Sequence, residues 1–229
     1  MHVPDGFLDA PTSVATGVAA AACVGVSLVG ARRELDDKTA PMAGLVAAFV
    51  FAVQMLNFPV GAGTSGHLMG GALAAVLVGP WTGILCVSVV LLVQSLLFAD
   101  GGITALGTNI VLMAVTTVVV GWVGFKLLQA VLPKRLSLVP VQAGFAAFVS
   151  VPVAALVFVL LYSLGGTADI PLDTLLTAML GVHTLIGIGE GVITGLAIGA
   201  IVAVRPDLVY GARPVLAQRE LVIKPKTPA

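Results

Sequence analysis

The sequence predicts an all-α protein, a bundle of about seven helices that cross a membrane. Hydrophobic residues make up 59% of the chain and charged residues only 10%, whereas about a quarter of the residues of a soluble domain are charged. The mean hydropathy is +1.11. The apolar residues also occur in long runs, and a helix needs about 20 such residues to cross a bilayer. We therefore expect a multi-pass protein in contact with lipid.

Seven apolar segments are candidates for the crossings. In chain order they are Thr12 to Gly30, Pro41 to Phe58, His67 to Gly79, Trp81 to Ala99, Ile103 to Phe125, Val139 to Tyr162 and Leu172 to Val204. The third segment is short, so its length alone would allow it to be one arm of a re-entrant hairpin. The seventh is long and could be broken, with its first part lying along the surface.

The positive charges predict the orientation of the bundle. All eleven Lys and Arg residues fall in three groups: Arg32, Arg33 and Lys38; Lys126, Lys134 and Arg135; and Arg205 to Lys226. Loops rich in Lys and Arg are usually cytoplasmic, and the loops around Gly63, Gly101 and Asp169 have none. The loops around Gly63 and Gly101 are both expected outside, so the chain must cross an even number of times between them, and the third segment crosses if the fourth does. With seven crossings, the amino terminus is outside and the carboxyl terminus inside.

Two regions follow from this pattern. Residues 1–208 are expected to form the transmembrane domain. Residues 209–229 are expected to be a flexible cytoplasmic tail, because they end in a polar stretch with two prolines and two lysines.

The amino terminus offers an unusual set of nitrogen ligands. The amine of Met1, the amide nitrogen of His2 and the His2 Nδ1 atom can close two fused chelate rings around one divalent ion. A fourth nitrogen would complete a plane that suits Cu(II) or Ni(II) and that low-spin Co(II) also accepts. We expect Met1 to be retained because His2 is large, and Pro4 has no amide hydrogen through which the chelate could extend. The alternative is an ordinary start followed by a solvated histidine.

A glycine-rich loop from Asn57 to His67 supplies a candidate for the fourth nitrogen. His67 stands where this loop meets the third apolar segment, on the same predicted side as His2. The alternative is a loop histidine that caps a helix. Asn57 and Ser65 of the same loop are candidates for outer contacts to the ligands, since ligating imidazoles usually have such a partner.

A second glycine-rich turn, Phe98 to Asn109, contains Asp100 and Asn109. An Asp-Gly-Gly sequence is a strong turn signal, so a tight hairpin is the simpler interpretation. Asp100 or Asn109 could also orient a ligating imidazole.

His183 and Glu190 lie roughly on one face of the seventh segment. An acid within the membrane is a functional hypothesis by default. Glu190 could hold the metal transiently, accept a proton, or be a neutral packing residue bonded to a threonine or a carbonyl. We expect His183 to be structural or to lie on an ion pathway.

Several motifs are absent from the sequence. It has no glycine-rich loop ending in Lys-Ser or Lys-Thr for nucleotide phosphates, so the chain is not expected to hydrolyse ATP alone. It has no His-Glu-x-x-His pair and no detectable internal repeat. Cys23 and Cys86 both lie in apolar segments, where a free thiol behaves as a small hydrophobic group.

Five stretches of the chain resemble the CbiM/NikM family of substrate-capture subunits of energy-coupling-factor transporters for cobalt and nickel. They are the opening Met-His-Val-Pro-Asp-Gly-Phe-Leu-Asp, Gln54 to His67, Leu97 to Asn109, His183 to Thr194, and Val204 to Leu208. The resemblance implies a metal site at the outer face formed by Met1, His2 and His67. It also implies a location in the cell membrane of a prokaryote.

The resemblance further implies partners rather than cofactors. These partners are a transmembrane coupling protein (the T component), a pair of cytoplasmic ATPases and a small accessory membrane subunit, with no nucleic acid. The Co(II) or Ni(II) ion is then cargo for ATP-driven import that supports cobalamin biosynthesis. The sequence looks somewhat closer to the cobalt branch, and a nickel-specific subunit is the alternative.

Two other classes of function remain open at this point. One is an autonomous ion-coupled carrier or channel that uses Glu190 and His183. The other is a membrane enzyme with a catalytic metal, which would need an open coordination position.

Overall fold

The predicted fold class is confirmed by a computed structural model that describes residues 1–35, 39–56, 58–61 and 64–223. The described residues form nine α-helices and two short strands: α1 (Ala10–Ala31), α2 (Thr39–Gln54), β1 (Phe58–Gly61), β2 (Thr64–Gly66), α3 (Gly71–Val78), α4 (Pro80–Leu97), α5 (Leu106–Asn109), α6 (Thr117–Val131), α7 (Val139–Gly165), α8 (Leu172–Val204) and α9 (Arg213–Ile223). A π-helical stretch, Ile110–Thr116, joins α5 to α6.

Five helical stretches are long and apolar enough to cross a membrane. They are α1, α4, the continuous stretch Leu106–Val131, α7 and α8, and the apolar α2 has 16 residues. These correspond to six of the seven predicted segments. The suggestion that the seventh segment is broken was wrong, because α8 runs without interruption over 33 residues. Its inward-facing side is continuous from Leu175 to Ile198, so packing against the bundle favours one helix.

The third predicted crossing is only partly helical. Helix α3 has eight residues, all of them buried, and at 1.5 Å per residue it is only about 12 Å long. The residues from His67 to Gly70 that lead into it are not helical, although His67 and Met69 have no exposed surface. A small hairpin precedes them, in which Phe58 pairs with Gly66 and Pro59 with Ser65. The chain therefore reaches the interior of the bundle as non-helical backbone.

Close packing around α3 depends on small residues. A Cβ atom on Gly121 of α6 would lie only 2.4 Å from Cβ of Ala72, so these two helices approach at van der Waals distance. The α7 and α8 helices meet in the same way, since a Cβ on Gly144 would lie 2.6 Å from the carbonyl oxygen of Gly191. Small residues are the usual means by which helices associate in lipid.

Residues from the three basic groups meet at one end of the bundle. Arg213 lies over the ring of Tyr210, Lys126 lies over Trp122, and the two rings are 5.7 Å apart. Arg33 lines a groove beside the same tyrosine. The amino terminus is at the opposite end, where Leu8 pairs with Gly166. The direction of the bundle relative to the cell interior stays a prediction.

The predicted tail is largely helical as far as residue 223. Two 3-10 turns, Pro206–Leu208 and Tyr210–Ala212, lead into α9. Val209, Ala212 and Val215 are buried, and the amide of Gln129 donates to the carbonyl of Gly211 at 2.8 Å. Three apolar residues spaced three apart form a face that packs on the bundle, and this spacing was overlooked in the sequence.

The Glu34 carboxylate stabilises the end opposite the amino terminus. It is 3% exposed and accepts hydrogen bonds from the backbone of Trp81 and from both the backbone and the hydroxyl of Thr82, which start α4. Replacing Glu34 with Ala would leave these donors buried without an acceptor. We expect Glu34→Ala to lower the free energy of unfolding by about 1–3 kcal/mol. A lower melting temperature in detergent, compared with the exposed-site control Asp173→Ala, is the measurement.

Candidate metal-binding site

Residues Met1–Asp9, here called the amino-terminal strap, are tied down at their far end by the α7–α8 loop. The amide of Asp9 donates to the carbonyl of Gly165 at 2.7 Å, and the amide of Thr167 donates to Phe7 at 3.1 Å. Phe7 stacks on Phe158. Asp9 also caps α1 by accepting from the amide of Thr12.

The middle of the strap is held by the turn that precedes α5. Asp5 accepts from the amide and hydroxyl of Thr104, and this side-chain hydrogen bond is the main reason that the pKa of Asp5 lies below its usual value. Asn109 accepts from the amide of Val3 at 2.7 Å and donates to its carbonyl at 3.1 Å. Asn109 therefore fixes the backbone of the strap. The sequence had left open, as an alternative to a simple hairpin, that Asp100 or Asn109 orients a ligating imidazole.

The strap ends with its first residues inside the bundle. Met1 is 1% exposed and His2 is 5% exposed. Burial lowers the pKa of the Met1 terminal amine from 8.0 to about 4, against an opposing effect of Asp100. The amine is therefore unprotonated at neutral pH, and its nitrogen lone pair is available for coordination.

The structure brings His2, His67 and Asp100 together beside this amine. The rings of His2 and His67 stack with their centroids 4.5 Å apart. The Nδ1 atom of His2 lies 3.1 Å from Asp100 Oδ1, close enough for a charge contact, but this buried nitrogen forms no hydrogen bond with a described residue. Its Nε2 atom lies 3.3 Å from Gln94 Oε1. Gln94 was missed in the sequence, although an amide within an apolar helix is a signal of function.

His67 and His183 each have one ring nitrogen anchored and the other unpaired. Nδ1 of His67 lies 2.7 Å from the carbonyl of Leu68, and Nδ1 of His183 lies 2.8 Å from the carbonyl of Met179. A carbonyl can only accept, so each Nδ1 carries the proton and each Nε2 keeps its lone pair. Both Nε2 atoms are buried, and no described residue forms a hydrogen bond with either. His183 is also close enough to the Met1 amine to interact with it electrostatically.

Glu190 fixes the backbone next to His67. One carboxylate oxygen accepts from the amide of Met69 at 2.7 Å and the other from the amide of Gly70 at 2.9 Å. The Gln54 amide donates to the carbonyl of Met69 at 2.7 Å. Glu190 thus accepts from backbone amides rather than donating to a carbonyl. Its contacts indicate that it holds the segment that carries His67.

The remaining candidates are less informative. Asn57 lies outside the described residues, and Ser65 lies in β2, two residues before His67. Within the described ranges, no three His, Cys, Asp or Glu side chains are grouped closely enough to bind a metal ion. A metal site here would therefore need the backbone nitrogens of the strap in addition to the imidazoles.

The buried amine predicts a pH dependence of stability. The pKa of the amine falls from 8.0 to about 4 on folding because of burial, so the unfolded chain binds more protons between these pH values and stability should decrease as the pH is lowered from 8 toward 4. We expect the melting temperature, measured with a chelator present, to fall more steeply between pH 8 and 5 for the native chain than for the chain acetylated at its terminus. Equal slopes would contradict burial of the amine.

Comparison with known proteins identifies the family of the chain. Residues 2–208 match the family model described as CbiM, cobalt uptake substrate-specific transmembrane region. A putative metal transport protein of Haloquadratum walsbyi is 40% identical over 92% of this chain and 94% of its own length. The cobalt transport protein CbiM of Sorangium cellulosum is 34% identical over 91% and 94%. The putative fused nickel transport protein NikMN of Archaeoglobus fulgidus is 37% identical over 91% of this chain and 68% of its own length.

A solved structure supports the same assignment. The crystal structure of a truncated transition metal transporter superposes with a TM-score of 0.81 at 30% identity, and the match covers 89% of this chain and 99% of that chain. The relatives are named as metal transport proteins and not as enzymes. The chain therefore belongs to the CbiM cobalt uptake family and is a multi-pass cobalt/nickel transport protein of a prokaryotic membrane.

Proposed function

We propose that this protein is the substrate-capture subunit of an importer and that it binds Co(II) or Ni(II) through four nitrogens. These are the Met1 amine, the amide nitrogen of His2, the His2 Nδ1 atom and the His67 Nε2 atom. The observation that carries the proposal is the burial of the Met1 amine beside two stacked imidazoles. The proposed chelate requires His2 Nδ1 to exchange its contact with Asp100 for the ion.

The donor set supports a late first-row metal ion. Four nitrogens in a plane suit Ni(II) or Cu(II), and imidazole is a good ligand for this group of metals. Closure of the chelate would also require loss of the His2 amide proton, which ions that bind nitrogen strongly promote. We retain cobalt as the first candidate, in line with the description of the family, and nickel as the alternative, in line with the relatives named as nickel transport proteins.

The proposal includes partners that drive transport. The chain has no nucleotide-binding loop, so ATP hydrolysis would occur on a pair of cytoplasmic ATPases linked by a transmembrane coupling protein. The fused relative of Archaeoglobus fulgidus extends beyond the matched region, which makes up 68% of its length, and this supports a small accessory membrane subunit. The imported ion would support cobalamin biosynthesis if it is cobalt.

An autonomous carrier that uses Glu190 and His183 is the second candidate. Both carboxylate oxygens of Glu190 accept backbone hydrogen bonds, which favours a role in holding the His67 segment over one in shuttling protons or ions. Liposomes that contain only this chain separate the two functions. Uptake of radioactive cobalt into such liposomes would favour the carrier, and uptake only with the ATPases and coupling protein would favour the capture subunit.

The chelate predicts that the free amino terminus is essential. One alanine added before Met1 turns the amine donor into an amide and displaces the terminus, so we expect high-affinity binding to disappear. The measurement is calorimetric titration of the detergent-purified protein with Co(II) and Ni(II), beside the chain with its native start. Equal affinities in the two proteins would contradict the chelate.

The proposed chelate also predicts a specific role for His67. We expect His67→Ala to weaken metal binding by more than the ~10- to 100-fold that loss of an outer partner typically causes, because a direct ligand is removed. The matched control is Thr194→Val, which changes a buried polar residue of α8. Melting curves should show both variants folded, and a His67→Ala protein that binds as tightly as the control would remove His67 from the site.

A further inference from the structure

A cavity opens beside the proposed metal site at the end of the bundle that carries the amino terminus. It lies between the strap and the turn Ala99–Gly102, and His2, Asp5 and Asp100 face it. Its volume is about 310 Å³. Because His2 is 5% exposed, this cavity brings one edge of a buried proposed ligand within reach of the surface.

Asp100 connects the cavity to the proposed ligands. Its side chain is 17% exposed, and its Oδ1 atom lies 3.1 Å from Nδ1 of His2. It is also close enough to the Met1 amine to interact with it electrostatically. Asp5 is exposed and also lines the cavity. A cation in the cavity would therefore meet carboxylates before it meets the nitrogens.

The shape of the cavity is set by an unusual turn. Ala99 has φ of 51° and Gly101 has φ of 89°, both in the left-handed region. A Cβ on Gly101 would lie 3.0 Å from Cδ2 of His2, and a Cβ on Gly102 would lie 2.4 Å from the amide nitrogen of Asp5. The turn thus approaches the strap as closely as glycine allows.

The cavity is large enough in volume for several waters around an ion. Six waters at about 30 Å³ each occupy about 180 Å³, which is less than the 310 Å³ of the cavity. The carboxylates would compensate part of the energy lost when the ion gives up its waters. Nitrogen ligands buried behind them can then replace the remaining waters.

We propose that this cavity is the vestibule through which the hydrated divalent ion reaches the site, and that Asp100 binds the ion transiently before it passes to the Met1 amine and His2. The inference rests on the proposed metal-capture function and adds a route and a transient ligand to it. Under this proposal Asp100 increases the rate at which the ion is captured, in addition to contacting His2.

The rate of association tests this inference. Stopped-flow mixing of the purified native-start protein with Ni(II), followed by the intrinsic absorbance of the complex, gives association rate constants at several ionic strengths. The variants are Asp100→Asn, Asp5→Asn and the control Asp173→Asn, which removes an exposed carboxylate at the same end of the bundle but outside the cavity. Each variant removes one negative charge, so a general effect of net charge is the same in all three and cancels when their rates are compared.

We expect association with the native protein to slow as salt is added, and Asp100→Asn to be at least ~10-fold slower at low ionic strength. Asp5→Asn should slow it less, and Asp173→Asn should match the native protein. Equal rates for Asp100→Asn and Asp173→Asn would overturn the inference.

The salt series of the native protein provides a test that does not depend on any variant folding. A rate that is independent of salt would also overturn the vestibule. Absence of tight Ni(II) and Co(II) binding by the native protein, in contrast, would overturn the proposed function itself.

Discussion

The burial of the terminal amine is the constraint on which the rest of the structure depends. An ammonium ion in this position would lose its hydration, and the nearby Asp100 carboxylate would offset only part of that cost in a low-dielectric interior. Burial lowers the pKa of the amine to about 4, which favours the neutral form at this position. Asn109 and Thr104 hold the strap that delivers it. In the proposed chelate, a neutral amine that is held in place before any ion arrives would be a preorganised ligand.

The second half of the site is organised from the other side of the bundle. Glu190 and Gln54 hold the peptide of Met69, so the short non-helical segment that carries His67 is fixed from two helices. This explains why an acid is tolerated at a depth where charge is expensive. It also links the site to α8, so that a movement of α8 would shift His67 relative to the strap.

The residues with distinctive chemistry could be identified from the sequence, because Met1, His2 and His67 were singled out by their ligand atoms. The side chains that form hydrogen bonds with the backbone of the site could not be identified in this way. That Glu190 meets Met69 is a contact between positions 121 residues apart, and no local pattern encodes it. The short length of α3 did leave a signal, since Gly70 and Gly79 flank it with φ of 77° and 98°, and glycine commonly marks such boundaries.

X-ray absorption spectroscopy of the Ni(II)-loaded, native-start protein tests the central claim most directly, because it reports the ligand atoms themselves. The account predicts four nitrogen ligands in a planar arrangement, with the scattering of two imidazoles, from His2 and His67. A six-coordinate ion surrounded mainly by oxygen, or a spectrum without imidazole scattering, would contradict a chelate built on the amino terminus.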